Sequence, residues 1–364
     1  MMGWATVALT LAACSGDHVL PDAPTPPTSD RAIGFGSYVD DERQQSHGTR
    51  AVGLSETART FMVYGHKNMT YDPGTDTYGD AQVVFGGYTV THAASTAGTS
   101  STNRYGWEYL DEAKNQTPHY WDFAAKAYRF AAYAPADAAV TLGVATDALS
   151  LSYEADATSE AGVAATPYYA RQWFSDNSPS NQPYGQGVLL KFVRPFSRVR
   201  FCLMDSEGRL IGTDNKHFSF IAPPITFKPQ DNTHRIALRG RVNISYPLEG
   251  TARKESFTAT PSMVYADAVD ALTAPYEESV AFAGQARQWY TVLPVGAQGN
   301  YTLSLSYNGS TRMAEVPAAY MDWQPGYQYT YVFKMTDTAV VFAPELYVYT
   351  KWQAGYADET PATW

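Results

Sequence analysis

Strict alternation of apolar and polar side chains over short stretches restricts this chain more than any other feature. Tyr327, Tyr329, Tyr331, Phe333 and Met335 alternate with Gln328, Thr330, Val332, Lys334 and Thr336. Tyr301, Leu303, Leu305 and Tyr307 alternate with Thr302, Ser304 and Ser306, and Val199, Phe201 and Leu203 with Arg198, Arg200 and Cys202. A two-residue period sends one set to a core and the other to solvent, as in a half-buried strand. No segment sustains the 3.6-residue stripe of an amphipathic helix. The 27 Tyr suit pleated, half-buried surfaces, and 27 Gly and 22 Pro supply turns between strands. Consecutive strands without helices between them predict an all-β chain of antiparallel β-sandwiches.

With 364 residues, 45% of them hydrophobic, the chain is long enough for two sandwich domains in series. The first strand is expected at Ala32–Val39, with Ile33, Phe35 and Val39 on one face, followed by a polar loop over 40–50. Further strands are expected at 60–65, 82–90 and 128–133, and one or two over 140–153. Between them lie a turn-rich stretch at 72–80 and an exposed loop at 93–104. The segment 175–187, rich in Ser, Asn, Pro and Gly, is the expected boundary. That places an N-terminal sandwich over 32–187 and a C-terminal one over 188–364.

The N-terminus carries an address. Leu11-Ala12-Ala13-Cys14 closes a short apolar run and resembles the lipobox of bacterial lipoprotein signal peptides. Such a signal implies cleavage of residues 1–13 and acylation of Cys14, each buried methylene contributing about 0.8 kcal/mol of membrane attachment. Met1–Cys14 holds no Lys or Arg, so the basic start of such a signal is expected further upstream. The alternative is a buried N-terminal helix with one apolar cysteine. Residues 14–31 that follow, rich in Pro, Asp and Thr, read as a flexible tether. Cys202 is the other cysteine, so no intrachain disulfide is expected.

Net charge is -10, which leaves no basic face to neutralise phosphates and argues against a nucleic-acid partner. The seven His are scattered, and there is no HExxH, Walker A loop or GxSxG elbow. Asp72, Asp76 and Asp80 recur through a turn and offer weak calcium ligands, although Asp, Pro and Gly together more often mean only a turn. Trp121, Trp173 and Trp289 suit either a core or a sugar platform. No catalytic residue, metal or cofactor is assigned, and an enzyme is not expected.

The last stretch, 339–352, is apolar on both faces: Val340, Phe342, Leu346, Val348 and Trp352 on one, Val341, Tyr347 and Tyr349 on the other. A two-faced strand needs cover on both sides. It is either a central strand of its own sheet or a strand that pairs with another molecule.

Taken in order, these pieces resemble the fimbrillin-like proteins of Bacteroidales. The resemblance is carried by the lipobox, the tether and the early IGF strand, then by Thr49-Arg50-Ala51 ahead of a Phe-x-Val-Tyr strand. YWDFAAKAYRFAAYAP (120–135), LLKFVRPFSRVRF (189–201), Leu293-Pro294, the Trp323-Gln324-Pro325-Gly326-Tyr327 run and the closing Lys351-Trp352 complete it. The resemblance implies two transthyretin-like sandwich domains and a subunit of a type V pilus, at the shaft or the tip. It implies an outer-membrane lipoprotein precursor, cut by an arginine-specific protease between Arg50 and Ala51. Removing the first strand (Ile33, Phe35, Val39) would then leave a groove for a neighbouring subunit's C-terminal strand, with Val340, Phe342, Leu346, Val348 and Trp352 as the donated side chains. Arg43 and Arg59 are alternative cleavage points, Arg31 would leave the first strand in place, and the bland alternative is that Arg50 is an ordinary loop residue that is not cut. An uncut surface lipoprotein, a pilus anchor or a glycan-binding module, is the competing reading.

Overall fold

The structure, a computed structural model, describes residues 32–39, 54, 58–93, 102–103, 105–176, 187–204, 225–231, 233–234, 236–264, 277–282, 285–307, 310–336, 338–344 and 348–351. It is all-β, and among the described residues the short helix α1 (Glu160–Ala165) is begun by the Ser159 hydroxyl accepting from Gly162 N at 3.1 Å. Six residues are too few to show a helical stripe in sequence.

The first sheet contains β1 (Phe35–Val39), β2 (Thr60–Asp72), β3 (Thr77–His92), β4 (Trp107–Glu108), β5 (Ala127–Ala134), β8 (Tyr168–Ala170), β9 (Trp173–Asp176) and β10 (Val188–Val193). Its order is β1-β10-β8-β5-β2-β3-β4, with β9 also on β5. A second sheet is ordered β14-β13-β7-β6, from β6 (Thr141–Val144), β7 (Ala148–Asp156), β13 (Ala237–Pro247) and β14 (Ser256–Val264). The third runs β15-β16-β11-β19, with β20 and β21 both on the far side of β19. Its strands are β11 (Ser197–Met204), β15 (Glu277–Phe282), β16 (Gln285–Val292), β19 (Tyr327–Met335), β20 (Val340–Phe342) and β21 (Val348–Lys351). The fourth is β12-β17-β18, from β12 (Ile225–Pro229), β17 (Tyr301–Tyr307) and β18 (Ser310–Val316).

Each sheet pair closes on its own core. Leu151 and Tyr153 of β7 and Val242, Ile244 and Tyr246 of β13 meet Ala131, Tyr133 and Tyr169 of the first sheet. Tyr329, Tyr331 and Phe333 of β19 meet Phe227, Tyr301 and Leu303 of the fourth sheet. A further core lies on the opposite face of the first sheet, around Phe35, Phe61, Phe85 and Phe130. Every residue of β5 is therefore buried, on both faces.

The first sheet curls around that further core. Register shifts in the β2–β3 pair, at Val63/Tyr64 and Gly65/His66, bend the long hairpin. Gly65 permits the bend, since a Cβ there would lie 2.7 Å from the Phe130 ring. The curl brings the two edges together: Ile33 N, just ahead of β1, donates to His119 O at 2.8 Å, and Phe35 packs on Tyr109, just past β4.

Several sequence expectations change in the fold. Two pairings are parallel, β1 with β10 and β11 with β19, because short consecutive strands do not have to pair with their chain neighbours. β11 lies between β16 and β19, so Arg200 and Cys202, expected toward solvent, are buried along with Val199 and Phe201. The Arg200 guanidinium donates to the Thr330 hydroxyl at 2.8 Å. Thr102 and Asn103, placed in an exposed loop by composition, are buried, and the Thr102 hydroxyl donates to Glu108 at 2.6 Å. Pairing also crosses the position between residues 187 and 188: β10 completes the first sheet, while β13 pairs with β7 from Arg239–Asp156 to Pro247–Ala148.

Candidate strand-exchange site

β1 is an edge strand whose side chains behave like those of a central one. Among the described residues it pairs with β10 alone, in parallel register from Phe35–Val188 to Val39–Phe192. Ile33 and Phe35 are fully buried. The Phe35 ring fits a socket of four rings, with centroids at 5.1 Å from Phe85, 5.6 Å from Phe130, 5.8 Å from Tyr109 and 6.3 Å from Phe61, all edge-on. Edge-on contact sets the positive rim of one ring against the negative face of the next. Gly36, the following residue, turns outward beneath the Tyr105 ring.

The far wall of the socket is residues 105–120, the short strand β4 with the turns around it, tied down by polar bonds. Gln116 donates to Thr89 O at 2.9 Å and to Tyr109 O at 2.5 Å, and its own carbonyl accepts from Thr89 N at 2.9 Å. The Glu108 carboxylate accepts from Tyr109 N and Leu110 N, each at 2.8 Å. His119 N donates to the Tyr109 hydroxyl at 3.1 Å, and the His119 ring meets the Tyr88 hydroxyl at 3.0 Å. Burial lowers the His119 pKa and pushes the Tyr109 phenol up, so both favour their neutral forms beside β1. Composition alone did not single out Gln116, Tyr109 or Tyr105. The Tyr-Gly-Trp-Glu-Tyr run at 105–109 is the signal that was there to find.

At the other end of the chain, β20 and β21 dock antiparallel on β19, pairing Phe333–Phe342 to Met335–Val340 and Tyr327–Lys351 to Thr330–Val348. The stretch expected as one strand is thus two. The ladder of β20 stops after Ala343 N donates to Val332 O at 2.8 Å, and the next residue, Pro344, has no N–H to extend it. Val340 and Phe342 are buried, with Phe342 at 5.1 Å from Tyr320 and 5.6 Å from Phe333. Across the gap the register parity changes: Val340 and Phe342 stand opposite Met335 and Phe333, whereas Val348 stands opposite Thr330. Docked at home, positions 340, 342 and 348 do not share one face.

The chain does not bring the two halves of the candidate site together, since β1 belongs to the first sheet and β20 and β21 to the third. Cys14, Arg50, Ala51, Leu346 and Trp352 lie outside the described residues, as does Arg43. Val39 and Val348 are described by backbone pairing alone. Arg59 is exposed just before β2. Of the three turn carboxylates, Asp72 accepts from Gly74 N at 2.8 Å and Thr75 at 3.0 Å, Asp76 pairs with Arg253 at 2.6 Å, and Asp80 accepts from the Gln82 amide at 3.3 Å. Trp121 is buried, while Trp173 packs against the same core partly exposed.

No family model matches the sequence, and no curated protein matches it. Solved structures do. One described as a candidate cell adhesion protein from Bacteroides ovatus is 14% identical, covering 88% of this chain and 96% of that one, with a TM-score of 0.41. The fimbrial anchor protein Mfa2 from Porphyromonas gingivalis is 15% identical over 89% of this chain and 98% of its own, with a TM-score of 0.29. A fimbrial assembly protein from Parabacteroides distasonis is 10% identical over 88% and 96%, with a TM-score of 0.33. The chain is similar, along most of its length, to Bacteroidales proteins described in terms of cell adhesion and fimbriae.

Proposed function

We propose that this chain is a surface adhesion protein related to fimbriae, built to exchange strand β1 for a strand of a neighbouring subunit. The observation that carries the reading is the Phe35 socket: an edge strand, bonded to one neighbour, fills the centre of a core. Burying Ile33 and Phe35 contributes roughly 1.5–3 kcal/mol each. A chain that lost β1 would expose those contacts along with the unpaired edge of β10, a state that favours uptake of another strand. Head-to-tail uptake does not close on itself, so it grows a fibre.

The rest of the proposal follows the sequence resemblance: acylation of Cys14, passage through the outer membrane, protease cleavage between Arg50 and Ala51, and display at the cell surface. It assigns the chain no reaction and no cofactor. The test is arginine-specific proteolysis of the full-length protein, read by N-terminal sequencing and electrophoresis. A new start at Ala51, with SDS-resistant ladders once a second subunit that donates a strand is supplied, both lost in Arg50→Gln, is the expected result. Intact chains without ladders under any treatment would overturn the exchange reading.

A second reading has its own observation. Val340 and Phe342 sit in their own core and both terminal strands occupy β19, as suits an anchor that accepts a strand but donates none. Deleting 339–364 separates the two: a donor loses its ladders, whereas an anchor still caps a partner.

A further inference from the structure

We propose that Tyr105 selects the strand that occupies the β1 position, admitting one that carries glycine directly after its buried aromatic residue. This rests on the exchange reading and names the chemistry of the partner. β1 is gripped on two sides, with Phe35 in the inner socket and Gly36 under the Tyr105 ring. A Cβ built on Gly36 would lie 2.6 Å from Tyr105 Cδ2, 3.0 Å from Cγ and 3.2 Å from Cβ. The clash reaches the root of the tyrosine, so turning the ring about its Cβ–Cγ bond does not clear it.

That root is held. Tyr105 and Gly106 are successive left-handed residues, with φ of 55° and 80°, and Gly106 O accepts from Ala93 N at 2.7 Å. A left-handed aromatic residue is sparsely populated and persists where its surroundings impose it. Burial of the ring is not what holds it there, because Tyr105 is 60% exposed. Its contact is with the strand it crosses.

The requirement on the occupant is therefore an aromatic residue followed directly by glycine, with an aliphatic residue two places before the aromatic, as in Ile33-x-Phe35-Gly36. The chain's own terminal segment does not meet it. Residues 339–352 contain no glycine, and their best match, Val340-Val341-Phe342-Ala343, puts a methyl where the strap leaves no room. Gly355 follows Ala354, which is too small for the Phe35 socket. The fitting partner is a strand of a different subunit with that pattern, rather than residues 339–352 of a second copy.

The experiment uses the full chain trimmed by trypsin and three labelled synthetic peptides, read by fluorescence anisotropy. They are residues 32–39, the same peptide with Gly36→Val, and residues 339–352. The native 32–39 peptide is expected to bind. The other two bind about tenfold more weakly or worse, and Tyr105→Ala in the protein recovers most of that loss. Equal binding of the native and Gly36→Val peptides, or no recovery in Tyr105→Ala, overturns the selection. If no peptide binds, the exchange reading fails and selection with it. The strap contact is then read separately in the uncut chain, where Gly36→Val lowers the melting temperature and Tyr105→Ala restores it only if that contact is real.

Discussion

The Phe35 ring stands edge-on to the Phe85 ring, with centroids 5.1 Å apart and planes at 72°. One ring belongs to an edge strand and the other to β3, which lies next to β4 at the opposite edge of the same sheet. The contact exists because the sheet curls, and it makes β1 a plug as well as a strand. Much of the packing of this core passes through a segment held by one ladder.

Phe35→Ala should therefore cost about 3–5 kcal/mol in urea unfolding, and Ile33→Val about 0.5–1.5 kcal/mol. A loss below about 1 kcal/mol for Phe35→Ala would mean that β1 does not fill the socket in solution.

Home docking of the terminal strand predicts a contrast between neighbours. Phe342 is buried and Val341 is 55% exposed. Phe342→Ala should cost about 3–5 kcal/mol, while Val341→Thr should stay within about 0.5 kcal/mol. Two small effects would show that β20 spends its time off β19.

Acid should destabilise the fold as pH falls through the histidine range. Burial lowers the pKa of both His66 and His119 below the ordinary value of 6.5. The unfolded chain then binds protons more readily than the folded one as pH falls through 6.5, and stability present above that pH is progressively lost below it. Urea midpoints compared at about pH 7.5 and pH 5.5 should fall on the acid side. The drop should shrink in His66→Gln; an unchanged drop would shift the cause to other groups.

Arg129 predicts a loss where its charge is removed. Its side chain is buried, with Nε donating to Asn68 at 3.1 Å and Nη1 to Pro247 O at 3.1 Å and Ala252 O at 2.6 Å. The guanidinium also lies 4.9 Å from the Phe174 ring centroid. Burial and the nearby Arg253 charge lower its pKa to about 10, still well above neutrality. Arg129→Met keeps most of the volume but removes the guanidinium from Asn68 Oδ1 and Ala252 O, while Pro247 O keeps the Gln172 amide at 3.0 Å, for an expected loss of about 2–3 kcal/mol in thermal or urea unfolding. Unchanged stability would show that water replaces the guanidinium.

Some of this was legible in the residues. The alternation at 301–307 marks β17, because a half-buried pleat leaves a local period of two; the alternation at 327–335 marks β19, although Thr330 and Val332, expected toward solvent, are buried as well. The pairing of Ile33 and Phe35 on one face of an early strand was visible for the same reason. β11 shows where that local logic stops: its alternation is as clean, yet Arg200 is buried, because cover on the second face comes from elsewhere in the chain. Tyr105 was harder still, since its importance lies in what it crosses.

By itself, then, the amino-acid order determined the strands, their inward faces and the all-β class, all of which depend on residues two apart. Only the tertiary structure decided that β1 runs parallel to β10, that Pro344 divides the last strand, and that the Phe35 socket is completed by residues 105–120. Those outcomes depend on curl, register and contacts between distant segments, and no local period encodes which distant segment will arrive.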